Sequence, residues 1–289
     1  KYQILANAVM IIWTLAIILP FILLFMSSIT DENTLVANGY SFFPKKFSLA
    51  SYSYIIKSGG QILKAYGVSI GVTVVGTLLN VLLSALMAYP LSVKNLPGRN
   101  VMMFFVFFTM LFNGGIVPSY IMWTGTFHIK DTIFAQLLPN FLLSAWNVMM
   151  IRTYFTTSIP DGLYEAAEID GASQFTIFWK IVLPLGKPIL VTMGTFAGLA
   201  YWNDWTNGLY YIVKNTGLYN VQNLLNQMVQ NIQFLTQSSN SNVTAAASTI
   251  PATGIQMAIA FVAILPIMLI FPSFQKYYAK GIALGAVKG

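Results

Sequence analysis

Four of the eight acidic side chains in this sequence lie within ten residues: Asp161, Glu165, Glu168 and Asp170. The whole chain is 56% hydrophobic and only 8% charged, so this concentration of carboxylates is unusual for it. Carboxylates must meet water or a partner that arrives from water, because transfer of an ion into an apolar medium is costly. The stretch therefore predicts an exposed segment that can bind basic groups of another protein.

The sequence offers no set of side chains for catalysis or metal binding. It has no cysteine, which excludes disulfides, thiolate nucleophiles and cysteine metal sites. The single histidine, His128, is followed by Lys130 and Asp131 in a short predicted loop, which favours a surface residue over a catalytic base or a metal ligand. A GxxxxGK(S/T) motif is also absent, so nucleotide hydrolysis must come from a partner. We predict no catalytic residue, no metal site and no cofactor in this chain.

The composition places the chain in a lipid bilayer. Its mean hydropathy is +0.69 and 15% of its residues are aromatic. A helix needs roughly 20 apolar residues to cross the hydrocarbon core, because each residue rises about 1.5 Å. We predict an all-α integral membrane protein in which residues 1–289 form a single domain. The six predicted spans are Ala8–Ile29, Val68–Val93, Val101–Trp123, Thr132–Ile151, Pro188–Trp205 and Ile255–Phe274.

Basic residues predict the orientation of these spans. With the N-terminus in the cytoplasm, nine lysine and arginine residues lie on the cytoplasmic side and six lie outside, as the positive-inside rule favours. Both termini are then cytoplasmic. The net charge of +7 forms no basic stripe interleaved with aromatics, so we predict no nucleic-acid partner. The six external residues are Lys45, Lys46, Lys57, Lys64, Lys130 and Lys214.

Residues 157–187 form a cytoplasmic loop in this topology, and a short helix is predicted there from about Pro160 to Asp170. Ser158 can cap the helix, and Pro160 suits its first turn. Gly171 supplies a left-handed residue at which the chain turns back, and a second helix from about Ser173 returns to the membrane. Helical spacing predicts one face on which small side chains leave little relief, so that this face can fit closely into a groove in another protein. That face is made of Leu163, Ala166, Ala167 and Asp170.

An alternative interpretation makes this loop an amphipathic hairpin that rests on lipid. An anionic cytoplasmic leaflet would repel its acidic side chains. We therefore expect a protein partner at this helix.

Residues 206–254 form a long external segment in the same topology. Four apolar residues at helical spacing precede a stretch rich in serine and asparagine. The segment is either a solvated linker or a docking surface for an external partner, and its length favours the second interpretation. The four apolar residues are Leu224, Leu225, Met228 and Ile232.

Aromatic and polar side chains gather at the outer end of the fifth predicted span. Flat tryptophan faces suit sugar rings and the polar groups suit sugar hydroxyls, so this cluster is a candidate for the substrate pathway, and an interfacial tryptophan belt is the alternative. The two tryptophans are three residues apart and are expected to share a helical face. The carboxylate is either a pathway residue or a brace to a partner. The cluster is Trp202, Asn203, Asp204 and Trp205.

Four further asparagines either line a polar pathway or join helices by hydrogen bonds. They are Asn80, Asn113, Asn140 and Asn147.

The acidic loop also carries seven residues at a recognisable spacing: an EAA triplet, a glycine after three residues, and I-x-L-P after nine more. They are Glu165, Ala166, Ala167, Gly171, Ile181, Leu183 and Pro184. This pattern resembles the signature loop of binding-protein-dependent ABC importer permeases. The C-terminal GIALGAVKG is similar to the tail of the maltose-type permease subunits, and YWNDW at 201–205 resembles the oligosaccharide permeases of that group.

The resemblance implies a bacterial inner-membrane subunit that pairs with a second, homologous permease and rests on two ATPase subunits, which bind ATP and Mg²⁺. An extracytoplasmic solute-binding protein would deliver an oligosaccharide, and the external segment Gln222–Pro251 would reach into it. The C-terminal tail would touch the ATPase interface. The helix from Pro160 would be the coupling helix. Its implied contact residues are Leu163, Glu165, Ala166, Ala167, Asp170 and Gly171.

Other functions compete with this one. A permease for a non-sugar solute would carry the same motif. A secondary transporter would need a chain of intramembrane acids, and a membrane enzyme would need a nucleophile, a metal cluster or paired acids, none of which the sequence supplies. The external lysines are compatible with oligosaccharides that contain uronates.

Overall fold

The computed structural model describes residues 2–57, 59–237 and 252–286, and most of these are helical. Within those ranges the β contact is an isolated antiparallel bridge between Thr30 and Phe47. The prediction of an all-α chain is therefore confirmed for the part that the structure describes.

Fifteen helices are described in these ranges, some of them a single turn. They are α1 Tyr2–Ser28, α2 Glu32–Asn38, α3 Ala50–Lys57, α4 Gly59–Ser92, α5 Arg99–Leu111, α6 Ile116–Ile121, α7 Phe134–Leu137, α8 Ala145–Ser158, α9 Asp161–Ile169, α10 Gln174–Ile177, α11 Leu183–Leu185, α12 Lys187–Trp202, α13 Thr206–Tyr211, α14 Val221–Gln237 and α15 Ala252–Ala286. Two π-helical turns, Met122–Thr126 and Phe178–Val182, and the 3₁₀ turn Thr216–Leu218 complete the set.

Three described helices are long and apolar enough to cross a membrane: α1, α4 and the part Thr253–Ile270 of α15. Two more candidates reach that length only as bent pairs. α5 meets the segment Ile116–Thr126 at 111°, and the segment Gln174–Leu185 meets α12 at 78°. By length and composition the described residues hold three to five candidate spans, against the six predicted from the sequence.

The third predicted span bends in a glycine-containing connection. α5 ends at Leu111, and Gly115 has a φ of +86°, a conformation that a residue with a side chain rarely adopts. Asn113 Oδ1 accepts a hydrogen bond from the amide of Gly115 at 2.9 Å. Asn113 therefore stabilises the bend rather than joining two helices.

The fourth predicted span, Thr132–Ile151, is not one helix. α7 ends at Leu137 and α8 begins only at Ala145, and between them Asn140 has a φ of +68°. Pro139 cannot donate a backbone hydrogen bond, so the helical pattern stops there. The carbonyl groups of this break lose their helical donors and need others.

Side chains from distant parts of the chain supply donors to three of these carbonyl groups. The pairs are Tyr201 Oη to Leu137 O at 2.9 Å, Asn207 Nδ2 to Pro139 O at 3.1 Å, and Asn80 Nδ2 to Phe141 O at 2.6 Å. Asn147 Nδ2 donates in turn to Asn80 Oδ1 at 2.7 Å. Of the two interpretations of the buried asparagines, hydrogen bonding between helices is the one that describes Asn80 and Asn147.

One compact unit of the chain comprises Lys1–Tyr66 and Val221–Leu269. Glu32, the first residue of α2, accepts hydrogen bonds from the amides of Thr253 and Gly254 at 2.9 and 2.8 Å. A carboxylate there satisfies amides at the positive end of α15, which have no partner inside the helix. Apolar residues of α3 and α15 form one core of this unit, namely Ile55, Ile255, Ala258 and Ile259.

The other compact unit comprises Gly67–Asn220 and Ile270–Gly289. Gly186 lets the chain pass close to α8, since a Cβ there would lie 2.5 Å from the ring of Phe155. The main core of this unit is formed by residues from α4, α8, α12 and the π-helical turn between α10 and α11. It includes Ala85, Ala88, Leu91, Ile151, Phe155, Phe178 and Met193.

Candidate functional site

The helix predicted in the acidic loop is present as α9, from Asp161 to Ile169. Its N-cap is Pro160, in an extended conformation with a φ of −63° and a ψ of 136°. The prediction that Ser158 caps this helix is wrong, because α8 continues through that residue. At the other end, the predicted left-handed residue is confirmed, since Gly171 has a φ of +76°.

The two faces of α9 differ from the predicted ones at two positions. Ala167 is 9% exposed and belongs, with the half-buried Tyr164, to the core of its own unit. Its assignment to the outward face is therefore corrected. Ile169, which was not predicted to lie on the outward face, is 86% exposed. The outward face consists of Leu163, Glu165, Ala166, Ile169 and Asp170.

Two of the four clustered carboxylates contact the chain itself. Asp161 Oδ2 lies 2.5 Å from Nζ of Lys94, in the connection that follows α4. Glu168 Oε1 accepts a hydrogen bond from Gln174 Nε2 at 2.8 Å, and Gln174 Oε1 accepts one from Tyr89 Oη at 2.5 Å. These contacts tie both ends of α9 to the end of α4. Half of the acidic cluster therefore positions the helix.

Sequence reasoning missed the partners of these carboxylates. Lys94 carried a usable signal, because it is a basic residue on the same predicted side of the membrane as the acidic cluster. Tyr89 and Gln174 carried none, since they are 85 residues apart and meet only in the folded chain. Ile169 could have been found by its helical spacing, three residues after Ala166.

The predicted second helix of the loop begins where expected. Ser173 is the N-cap of α10, and its Oγ accepts a hydrogen bond from the amide of Thr176 at 3.3 Å. The segment that follows divides its large apolar residues between two environments. Ile177, Phe178 and Val182 are buried, whereas Phe175 and Trp179 are exposed.

Asp204 lies in the turn between α12 and α13 and is only 5% exposed. Its Oδ1 accepts hydrogen bonds from the amides of Thr206 and Asn207 at 3.0 and 3.2 Å, and from Thr206 Oγ1 at 2.8 Å. Its backbone carbonyl accepts a hydrogen bond from Asn220 Nδ2 at 2.6 Å. Within the described part of the chain, Oδ2 is buried without a hydrogen-bond partner. One carboxylate oxygen therefore holds the start of α13.

Trp202 and Trp205 do not share a helical face, because α12 ends at Trp202. Trp202 is 7% exposed, whereas Trp205 is 44% exposed. Asn203 is also exposed. Of the predicted cluster, Asn203 and Trp205 lie at the surface of the chain, and Trp202 and Asp204 lie inside it.

The predicted amphipathic helix of the external segment is present as α14. Its Leu224, Leu225 and Met228 pack against apolar residues of the same unit, which include Ile55 and Ala65. This apolar face is therefore covered by the chain itself. Ile232 is the fourth apolar residue predicted for this helix, and its side chain lies outside the described part of the chain. Residues 238–251 also lie outside it.

Two further predictions concern exposed positions and the end of the chain. His128 is exposed, as expected of a surface residue. The side chains of residues 273–286, and residues 287–289 entirely, lie outside the described part, and the predicted C-terminal contact falls on them.

Residues 67–284 match the family described as "Binding-protein-dependent transport system inner membrane component". Two relatives from Bacillus subtilis (strain 168) are each 36% identical to this chain. Protein LplC aligns over 94% of this chain and 90% of its own length. The polygalacturonan/rhamnogalacturonan transport system permease protein YtcP aligns over 100% of this chain and 98% of its own length.

A solved structure resembles the fold over nearly the whole chain. It is the crystal structure of a bacterial ABC transporter involved in the import of the acidic polysaccharide alginate. The TM-score is 0.80 at 26% sequence identity, and the match covers 96% of each chain.

Proposed function

We propose that this chain, which belongs to the family of binding-protein-dependent transport system inner membrane components, is the permease subunit of an ATP-driven importer of oligosaccharides. The observation that carries the proposal is the end-to-end similarity to a permease named for polygalacturonan and rhamnogalacturonan transport. A second, homologous permease completes the translocation pathway. Two ATPase subunits bind ATP and Mg²⁺, and an extracytoplasmic solute-binding protein delivers the sugar.

In this proposal α9 is the coupling helix, and its outward face lies in a cleft of the ATPase. The exposed Ile169 and Leu163 support this role, because burying a large aliphatic side chain contributes about 1.5–3 kcal/mol. Glu165 and Asp170 flank these apolar residues and suit basic groups of the partner. Ala167 has a different role, because it packs in the core of this chain and anchors the helix there.

The contacts of α9 with its own chain suggest how movement passes into the membrane. Lys94 and Tyr89 hold its two ends. Tyr89 lies near the end of α4, a helix long and apolar enough to cross a membrane, and Lys94 lies just after it. A displacement of α9 by the ATPase is then transmitted to α4 through side-chain contacts at two points. With two contacts the loop can flex less than it could with one, so more of the displacement of α9 reaches α4.

The proposed membrane topology has six spans, with both termini in the cytoplasm and residues 157–187 on the cytoplasmic side. The fourth span is then the broken pair of α7 and α8. Irregular backbone is tolerated at membrane depth where protein groups satisfy it, and the donors from Tyr201, Asn207 and Asn80 meet that condition.

The proposed substrate is an oligosaccharide that contains uronate residues. The relative named for polygalacturonan transport and the solved importer of an acidic polysaccharide support this class. Lys45, Lys57, Lys64 and Lys214 provide positive charge in the proposed external segments. In the pathway, the exposed Trp205 and Asn203 contact sugar, while Trp202 and Asp204 shape the turn that carries them.

The test is uptake into vesicles by this chain together with its permease, ATPase and binding-protein partners, with labelled trigalacturonate as the probe. We expect uptake that requires ATP and every partner. Uptake by this chain alone, or without ATP, contradicts the importer assignment. Faster uptake of a neutral arabino-oligosaccharide than of trigalacturonate keeps that assignment and contradicts the acidic substrate class.

A further inference from the structure

Tyr201, near the end of α12, touches three other parts of its unit. Its ring lies against Gly76 of α4, where a Cβ would come within 2.6 Å of three ring carbons. Its hydroxyl donates a hydrogen bond to the carbonyl of Leu137, the last residue of α7, at 2.9 Å. The ring centroid lies 5.3 Å from that of Phe141, in the connection between α7 and α8. Tyr201 therefore links α4 and α12 to the break in the fourth predicted span.

α4 and α12 approach each other closely at two glycines of α12. A Cβ at Gly194 would lie 3.3 Å from Cγ2 of Val81, and a Cβ at Gly198 would lie 3.3 Å from Oγ1 of Thr77. The two glycines are four residues apart and share one face of the helix. Small residues on such a face let two membrane helices pack with their backbones close together. We therefore expect α4 and α12 to move together.

The break between α7 and α8 is held by other elements rather than by helical hydrogen bonds of its own. Three of its carbonyl groups accept hydrogen bonds from Tyr201 of α12, Asn80 of α4 and Asn207 of α13. Asn140 in this connection is exposed and has a φ of +68°. A residue with a side chain keeps such a conformation only where its surroundings impose it. The position of the break therefore depends on α4 and α12.

We propose that Tyr201 is a positioning residue for transport, which makes the α7–α8 break follow α4 and α12 when α9 is displaced. This rests on the function proposed above, in which α9 passes its displacement to α4. Tyr201 is only 2% exposed, so it acts on the pathway through the break and not by touching sugar. Its planar ring is stiff, and with Gly76 against it there is no room for the ring to shift toward α4. Movement of α4 therefore reaches Leu137 through a rigid link.

The test compares sugar uptake with ATP hydrolysis in vesicles that contain the complete transporter, with labelled trigalacturonate as the probe. Y201F removes the hydroxyl and keeps the ring. We expect ATP hydrolysis to persist while the uptake per ATP falls at least about fivefold, the lower end of the range for energetic coupling between two sites. G76A should act in the same way, because its Cβ displaces the ring. The double variant G76A/Y201F should be no worse than the more impaired single variant, since both changes interrupt one link.

G71A is the matched control, because Gly71 also lies on α4 and a Cβ there meets nothing within 4 Å. It should leave the uptake per ATP unchanged. If Tyr201 only supported the fold, Y201F would lower the melting temperature and reduce uptake and hydrolysis in the same proportion. An unchanged uptake per ATP in Y201F, or additive losses in the double variant, would therefore overturn the proposal.

Hydrogen exchange at the amides of residues 138–144 gives a second measurement, which needs no sugar. Y201F should raise exchange in this segment severalfold over that of G71A, because the break loses one of its three side-chain donors. Equal exchange in the two variants would overturn the link even if the sugar were the wrong one. Absence of trigalacturonate uptake by the parent, with raised exchange in Y201F, would contradict the proposed function while the link between Tyr201 and the break stands.

Discussion

The ammonium group of Lys94 lies 2.5 Å from the carboxylate of Asp161, across 67 residues of sequence, and joins the end of α4 to the first residue of α9. Both side chains are more than half exposed, at 60% and 57%. An ion pair in such a setting contributes about 0–1 kcal/mol to stability, because water screens it. Its importance therefore lies in where it places α9 rather than in how firmly it holds the fold.

Charge reversal tests this contact. K94E and D161K should each reduce sugar import, because each places like charges at the start of α9. The double variant K94E/D161K should recover most of the import, while the melting temperatures of all three stay close to that of the parent. Import is measured in vesicles that contain the complete transporter. Two single variants with full import would show that the ion pair does not position α9 for coupling.

Gly171 offers a second test, based on the backbone. A residue with a side chain in its left-handed conformation costs roughly 1–2 kcal/mol, so G171V should favour a different turn and tilt α9. We expect loss of import with normal membrane insertion. The control is G162A, because Gly162 lies within α9 and a Cβ there meets nothing within 4 Å. If G171V imported sugar at the same rate as G162A, the left-handed turn would not matter for coupling.

Two neighbouring alanines separate folding from docking. Ala167 is buried, so A167L overpacks the core of its own unit and should destabilise the chain by about 1–3 kcal/mol, seen as a lower melting temperature. Ala166 is exposed, so A166L should leave the melting temperature unchanged and weaken co-purification of the ATPase. The opposite result, with A166L destabilising and A167L harmless, would contradict the assignment of the two faces.

The position of α9 and its turn could be predicted from the sequence, because Pro160 and Gly171 act through local backbone preferences. The family inferred from the EAA pattern is confirmed by the match over residues 67–284. The inward turn of Ala167 could not be predicted, since a small side chain fits either face. The break in the fourth predicted span could not be predicted either, because the donors that permit it, Asn80 and Asn207, are far away in sequence.

Asp131 allows a prediction about pH. Its Oδ1 accepts hydrogen bonds from the amides of Lys214, Asn215 and Val213 at 2.7, 3.2 and 2.7 Å. These bonds, that from Lys214 foremost, lower the pKa of the Asp131 carboxyl below its usual 3.8. Because the folded pKa is lowered, the stabilisation is complete above pH 3.8 and is lost as the pH falls through the folded pKa.

We therefore expect the amides of Val213, Lys214 and Asn215 to be protected from hydrogen exchange at neutral pH. D131N removes the charge but keeps an oxygen that can accept hydrogen bonds, so it should lower the protection of these amides at neutral pH. D131E keeps the charge, but its longer side chain places the carboxylate differently relative to the three amides, so it should protect them only in part. Equal protection in the parent and in D131N would show that the negative charge of Asp131 does not contribute to holding this loop.

Trp202, the last residue of α12, and Trp205, which follows the helix, should respond differently to truncation. Trp202 is 7% exposed, so W202A should cost about 3–5 kcal/mol of stability, as expected for a large aromatic side chain removed from a core. Trp205 is 44% exposed, so W205A should lower the melting temperature less than W202A does. If its ring stacks on sugar in the pathway, W205A should reduce trigalacturonate import, while ATPase co-purification and basal ATP hydrolysis persist.

W205F is the matched control, because it keeps a flat apolar face and should retain part of the import. Normal import by W205A together with normal stability would reduce Trp205 to an interfacial residue and remove the substrate role from this cluster.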